Sequence, residues 1–378
     1  MASKPRSIFE NVATAQKPLA APGGIDRGRR DARGAIRIWL MVLFALVVLM
    51  IAVGGMTRLT DSGLSITEWK PVTGSIPPLN AADWEAEFAL YQATPQFALM
   101  NRDMTMAEFK PIFWWEWGHR QLGRVMGLIW AAGFVFFWAT KRIPAGWTGR
   151  LLLVGALGGT QGAIGWWMVH GGLQEGMVSV PSYRLATHLG LAFAILGLIA
   201  WYVLRIGRRE TDLMTARRAG EARLFDGATG LMYLAFLQII LGALVAGIDA
   251  GRAFPTWPLM GDGFFPPEPF NLTPLWRNFF EDAGLVQFIH RIAGYVLFVA
   301  GVVVWLRARK SPQTATRTAF TAMLAVLLAQ IVLGIVTALY SAPVQIAIVH
   351  QFGAVILWVL ILRGRFLARY PLPQSVRG

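Results

Sequence analysis

The chain has 378 residues, 55% hydrophobic and only 15% charged, with a formal net charge of +14 and no cysteine. Several apolar runs reach about 20 residues, enough to cross a bilayer core, so the chain reads as a polytopic membrane protein. The absence of cysteine excludes disulfides, thiolate metal sites and cysteine redox chemistry. The basic residues are concentrated in alternate connections, which argues against nucleic acid as a partner.

Residues 1–37 are polar and basic and have no apolar core of a signal peptide. They are expected to be a disordered cytoplasmic tail. Eight spans follow, at 38–56, 112–140, 151–169, 184–204, 229–248, 286–306, 318–340 and 344–362. Arg27, Arg29, Arg30, Arg33 and Arg37 precede the first span. Lys141, Arg142 and Arg150 mark the second connection, Arg205 to Arg223 the fourth, Arg307 to Arg317 the sixth, and Arg363, Arg365 and Arg369 follow the last span. By the positive-inside rule these segments are cytoplasmic, as are both termini, and the charge is a topology signal that also attracts anionic lipid.

Two outer connections are long. In residues 57–111, Asn80 is a helix cap, Trp84, Phe88 and Tyr91 share one face of the predicted helix, and Pro95 bounds it. Thr105 followed by Glu108 is a capping box leading into the second span. The connection 249–285 is rich in Pro, Gly and aromatics. Connections this long usually carry function or fold over a site.

The chain repeats itself. Trp69, Pro71, Gly74, Pro77 and Pro78 of the first long connection answer to Trp257, Pro258, Gly261, Pro266 and Pro267 of the second. "GHRQLG" in span two matches "IHRIAG" in span six. Gln161 with Gly165 matches Gln330 with Gly334, and "YRLATHLG" matches "IAIVHQFG". Each half has an even number of crossings, so the halves run in the same sense. The expected fold is an all-α integral membrane protein of eight transmembrane helices, built as two parallel-repeat four-helix bundles. The boundaries are 38–225 and 226–364, with a cytoplasmic tail at 365–378.

Of five histidines, four occupy matched places: His119, His188, His290 and His350. Each lies about one to two turns inside the outer end of an even-numbered span, roughly 6–10 Å deep. His170 has no counterpart and reads as a solvated loop residue. A lone intramembrane histidine is readily explained as a hydrogen-bonded core residue. Four at repeat-related positions form two pairs, and two imidazoles from facing helices can hold a haem iron. Zinc or copper fits less well, because neither pair has a further carboxylate or thiolate ligand.

His119–Arg120 and His290–Arg291 are the same dipeptide, and Arg124 is one turn further on. Arginine can grip haem propionates in a bidentate fork, or snorkel to lipid headgroups. Arg124, deeper in its span, calls for a buried partner, whereas Arg58 and Arg184 fit either role. Glu116 precedes His119 by three residues on the same helix face, and the aligned residue before His290 is Gln287. A carboxylate beside the first pair can take a proton or stabilise positive charge; alternatively it pairs with Arg120 one turn on. Trp114, Trp115 and Trp117, like Trp166 and Trp167, fit an interfacial aromatic belt first and a haem-pocket wall second.

The motifs "GGMTRLTDSGLSITEWKPVTGSIPPL", "EFKPIFWWEWGHRQLGR", "GAIGWWMV", "YRLATHL", "TWPLM", "QFIHRIAGY" and "HQFGA" occur in this order over residues 38–363. Together they resemble the haem A synthase family in its cysteine-free proteobacterial and mitochondrial branch. The resemblance implies oxidation of the C8 methyl of haem O to a formyl group, giving haem A for haem-copper oxidases. It implies a haem b cofactor on His290 and His350, with Arg291 beside it. The substrate haem would lie on His119 and His188, with Arg120 and Arg124 beside it and Glu116 as the catalytic residue. All four histidines would be axial iron ligands. Implied partners are haem O, membrane lipid, haem O synthase, an electron-transfer partner and oxidase assembly factors, and a homo-oligomer is compatible. The expected location is a bacterial inner membrane, with the haem sites toward the periplasm. The rival readings are a di-haem b-type electron-transfer cytochrome acting with quinone, and a transporter. The first leaves Glu116 opposite Gln287 unexplained. The second fits poorly with histidines toward one face and a parallel repeat.

Overall fold

The computed structural model describes residues 32–373. Most of the expected N-terminal tail therefore lies outside the described residues. Twelve α-helices run through them: α1 (Arg33–Leu59), α2 (Ala81–Gln92), α3 (Pro95–Met100), α4 (Met106–Ala139), α5 (Thr148–Gly172), α6 (Ser182–Ile206), α7 (Glu210–Arg218), α8 (Ala222–Gly247), α9 (Asn278–Glu281), α10 (Ala283–Ala308), α11 (Thr314–Leu339) and α12 (Val344–Arg369). No β-strand occurs among them. Eight helices, α1, α4, α5, α6, α8, α10, α11 and α12, are long and apolar enough to cross a membrane, and this is a multi-pass all-helical membrane protein.

Within each half the spans touch in a ring. α1 packs on α4, α4 on α5, α5 on α6 and α6 back on α1; α8, α10, α11 and α12 close in the same order. The halves meet where α6 packs on α8 and α12, and α1 on α12. α6 is accordingly the most buried span. Side chains such as Phe193, Leu196, Ile199 and Trp358 fill this seam. Polar contacts cross it, among them Trp358 Nε1 donating to the Phe193 carbonyl at 3.1 Å and Gln351 Nε2 to the Ile51 carbonyl at 2.6 Å. Interhelical hydrogen bonds of this kind satisfy polar groups that hydrocarbon cannot.

The helix-start signals act as expected. Asn80 caps α2 by accepting from the Asp83 N–H at 2.9 Å, and Thr105 and Glu108 form a reciprocal capping box on α4. Trp84, Phe88 and Tyr91 pack on Phe109 and Phe113, so α2 is clamped to the first turns of α4. α4 consequently starts earlier than the expected span. Pro95 ends α2 and also opens α3, where Thr94 accepts from the Phe97 N–H.

At the basic end α12 continues to Arg369, so residues 365–369, where the tail is expected to start, are helical. The reason is packing: Phe366 and Tyr370 cluster with Leu213 of α7, and Arg365 lies over the rings of Trp201 and Phe225. α7 itself was hidden in a connection read only for its charge. Its Glu210 and Asp212 at the start and Arg217 and Arg218 at the end complement the helix dipole.

Candidate active site

The four histidines sit at one end of the two rings, half-buried and facing inward. His119 of α4 and His188 of α6 are diagonal members of the first ring, with ring centroids 6.5 Å apart. His290 of α10 and His350 of α12 hold the same places in the second. Each imidazole lies against a glycine of the preceding span. A Cβ on Gly54 would stand 3.4 Å from Cε1 of His119, and one on Gly165 3.0 Å from that of His188. The distances are 3.1 Å from Gly242 to His290 and 3.2 Å from Gly334 to His350. A side chain at Gly165, Gly242 or Gly334 would crowd its ring, and one at Gly54 would touch it; glycine lets the helices approach.

These residues fit a bis-histidine metal group. The 6.5 Å between His119 and His188 leaves room for one ion at about 2 Å from a nitrogen on each side. Polar atoms around the rings are buried without partners: Oε1 of Gln161, Gln238 and Gln330, and Nδ1 of His350. Residues of this kind complete their bonding when ligation fixes the imidazole tautomer. His170, expected in a loop, instead occupies the last turns of α5, exposed and stacked on Trp166.

Glu116 is buried, and every contact it makes leads to the first long connection. Its Oε1 pairs with Arg120 at 2.6 Å. Its Oε2 accepts from the Ile66 N–H and meets the Ser65 hydroxyl, both at 2.8 Å. Arg120 also donates to the carbonyls of Ile66 at 2.7 Å and Glu68 at 3.0 Å. In the second half Arg291 donates to the carbonyls of Phe254 at 2.9 Å and Leu259 at 3.1 Å. Gln287 makes only a 3.4 Å bond to Phe254, and Ala253 stands where the first half has Ser65. Both arginines therefore strap a loop over a histidine; the carboxylate and hydroxyl belong to the first half alone. Ser65 was missed in the sequence, although aligning Trp69 with Trp257 places it opposite Ala253.

The remaining arginines also hold connections. Arg124 donates to Pro71 and Lys70 carbonyls at 2.9 Å, and at its equivalent position Tyr295 accepts from Trp257 at 2.9 Å. Arg58 bridges Asp61 and Asp249, which ties the two long connections together. Arg184 donates to the Trp167 carbonyl and lies over its ring. Beneath the first connection is a cavity of about 370 Å³, lined by Glu68, Lys70, Glu87, Trp117, Arg120 and Arg124 among others. Hydrogen bonding to Glu68 holds the Lys70 ammonium above its ordinary range, and burial pushes the Glu87 carboxyl up. Trp114 and Trp115 are exposed, as a belt requires, whereas Trp117 turns toward this cavity.

The model of the cytochrome oxidase assembly protein family matches residues 37–362, almost the whole described chain. The chain belongs to the cytochrome oxidase assembly protein family. Its similarity to individual members extends from end to end. It is 65% identical to the heme A synthase of Ruegeria sp. strain TM1040, over 99% of each chain. It is 63% identical to the heme A synthase of Paracoccus denitrificans strain Pd 1222, covering 99% of this chain and 98% of the relative. It is 58% identical to the heme A synthase of Cereibacter sphaeroides strain ATCC 17029, covering 100% and 99%. The matched segment covers six of the eight long helices whole, most of α1 and α12, and the four paired histidines, so family membership and the paired geometry concern the same residues.

Proposed function

We propose that this protein is a haem A synthase, which oxidises the C8 methyl of haem O through the alcohol to the formyl group of haem A. Full-length identity of 58–65% to heme A synthases supports the reaction. The observation that supports placing it in the first half is the contrast between Ser65–Glu116–Arg120 and Ala253–Gln287–Arg291 in otherwise matching frames. On this reading residues 38–225 form the substrate half and residues 226–364 the cofactor half.

His119 and His188 hold the substrate haem, and His290 and His350 hold haem b, which when bound supplies a one-electron path to or from the first site. Glu116 stabilises positive charge developing at the methyl carbon or accepts its proton. Arg120 keeps that carboxylate compensated in a site where a lone charge would be costly. Ser65 and the Ile66 N–H aim its second oxygen. Arg120, Arg124 and Arg291 stand beside the histidines as cationic partners for porphyrin carboxylates. The straps from Arg120 and Arg291 keep the long connections over the two sites and exclude water.

In a bacterial inner membrane, the positive-inside distribution supports both termini as cytoplasmic and the histidine end toward the periplasm. Partners on this reading are a haem O synthase, an electron-transfer protein, oxidase assembly factors and further copies of the chain. The test is Glu116→Gln in the full chain, followed by extraction and identification of bound porphyrins. Haem b and haem O are expected to be retained and haem A lost. Normal haem A yield defeats the assignment, and haem B as the sole porphyrin in the native protein favours an electron-transfer cytochrome.

A further inference from the structure

Four glycines seat four histidines, but only three of the seats carry an amide. Gln161, Gln238 and Gln330 each stand one turn before the seating glycine, at Gln161/Gly165, Gln238/Gly242 and Gln330/Gly334. Gln161 Nε2 donates to the His188 carbonyl at 3.0 Å and lies 3.2 and 3.3 Å from its ring nitrogens. Gln238 repeats this at His290, with 3.0 Å to the carbonyl and 3.2 and 3.4 Å to the ring. Gln330 donates to the His350 carbonyl at 3.0 Å. Its Oε1 and the Nδ1 of His350 are both buried without a partner.

The first seat departs from the pattern. One turn before Gly54 stands Met50. The two side chains occupy equivalent places: Gln238 packs against Gly294, one turn beyond His290, and Met50 packs against Gly123, one turn beyond His119. A thioether offers no N–H and only a weak acceptor, whereas an amide offers both. Among the described residues the His119 ring makes no hydrogen bond; its ring neighbour is His188.

An imidazole that binds metal through one nitrogen is oriented by what the other nitrogen and its own backbone meet. The rings of His188 and His290 are held in this way, and Gln330 anchors on the His350 carbonyl. His119 has its glycine seat and no amide beside it. We propose that Gln161, Gln238 and Gln330 are positioning residues that fix His188, His290 and His350, and that Met50 leaves His119 as the exchangeable ligand. The porphyrin of the first site enters and leaves by release of His119. This rests on the reading of His119 and His188 as the substrate site, and it gives the asymmetry a purpose. The resident haem must stay, whereas the product must depart.

The test exchanges the two natural residues between equivalent seats. Holoprotein purified in detergent is mixed with excess apomyoglobin, and haem transfer is followed by absorbance. The wild type is expected to release porphyrin in a fast and a slow phase. Met50→Gln should slow the fast phase about tenfold, the worth of one hydrogen bond. Gln238→Met should speed the slow phase by about the same factor and change the low-spin ferric signal in electron paramagnetic resonance. A fast phase unchanged in Met50→Gln at wild-type haem content overturns the proposal. If Met50→Gln does not accumulate in membranes, Gln161→Met decides, since an unaltered fast phase in that variant also overturns it. If the wild type carries haem b alone, the substrate reading fails, and the positioning claim is decided by Gln238→Met at His290. There an unchanged resonance signal and release rate overturn it.

Discussion

Glu116 and Arg120, one turn apart on α4, form a 2.6 Å ion pair whose arginine also grips the Ile66 and Glu68 carbonyls. Carboxylate, guanidinium and loop are thus one unit, placed one turn from His119. The second half keeps the arginine's grip through Arg291 but has an amide at Gln287. Of the two readings of Glu116 offered by the sequence, the pairing with Arg120 is present in the structure, and it leaves room for the proposed role beside the first histidine pair.

Ser65→Ala removes one of the two loop contacts to Glu116 Oε2 and leaves the Ile66 N–H in place. Haem A formation is expected to fall about five- to tenfold, with bound haem unchanged. Ala253 shows that the fold accommodates alanine at the equivalent position. Pigment analysis of membranes by reverse-phase chromatography checks it.

Arg120→Ala leaves a buried carboxylate without its counter-charge and cuts the strap to the first connection. A loss of about 3–5 kcal/mol is expected, because both partners are largely shielded from solvent. Adding Glu116→Gln should restore most of the stability but not the activity. Thermal unfolding of the single and double variants in detergent separates the two effects.

Gln287→Glu gives the second half the carboxylate of the first, facing Arg291. An added negative charge favours the oxidised form of a nearby haem. The midpoint potential of the haem proposed at His290 and His350 is expected to fall by roughly 60 mV for each 1.4 kcal/mol of that preference. Redox titration reads it, and haem A yield should not rise.

Gly165→Ala sets a Cβ 3.0 Å from the His188 ring, closer than an ordinary contact, so the ring must shift, whereas Gly158 on the same helix has nothing within 4 Å. Gly165→Ala is expected to lower haem content at the first pair severalfold. Gly158→Ala should leave haem content unchanged and slightly favour the helix. The pyridine haemochrome of each purified variant provides the comparison.

The eight crossings were legible because hydrocarbon demands about 20 apolar residues per span, and that demand is written locally. The caps at Asn80 and Thr105 were legible for the same reason: a cap and the N–H it accepts from lie three residues apart. α7 was obscured, because its apolar content is small and its stability comes from Leu213 meeting Phe366 and Tyr370, far along the chain. The repeat in the sequence pointed to His119, His188, His290 and His350 as pairs. It also showed Gln161/Gly165 and Gln330/Gly334 as a pattern, while Gln238/Gly242, at the same spacing, went unread.

The sequence by itself determined the number of crossings, the two-fold repeat, the histidine pairs and the single carboxylate, since each is a matter of residue type and spacing. Tertiary structure decided what those residues touch. Ser65 reaches Glu116 across 51 positions, and Gln238 reaches His290 across 52. Whether an arginine strapped a loop or faced lipid, and whether a glycine seated a ring or lay bare, depended on which helix came to rest beside it. That is settled by packing between distant segments, which no local spacing encodes.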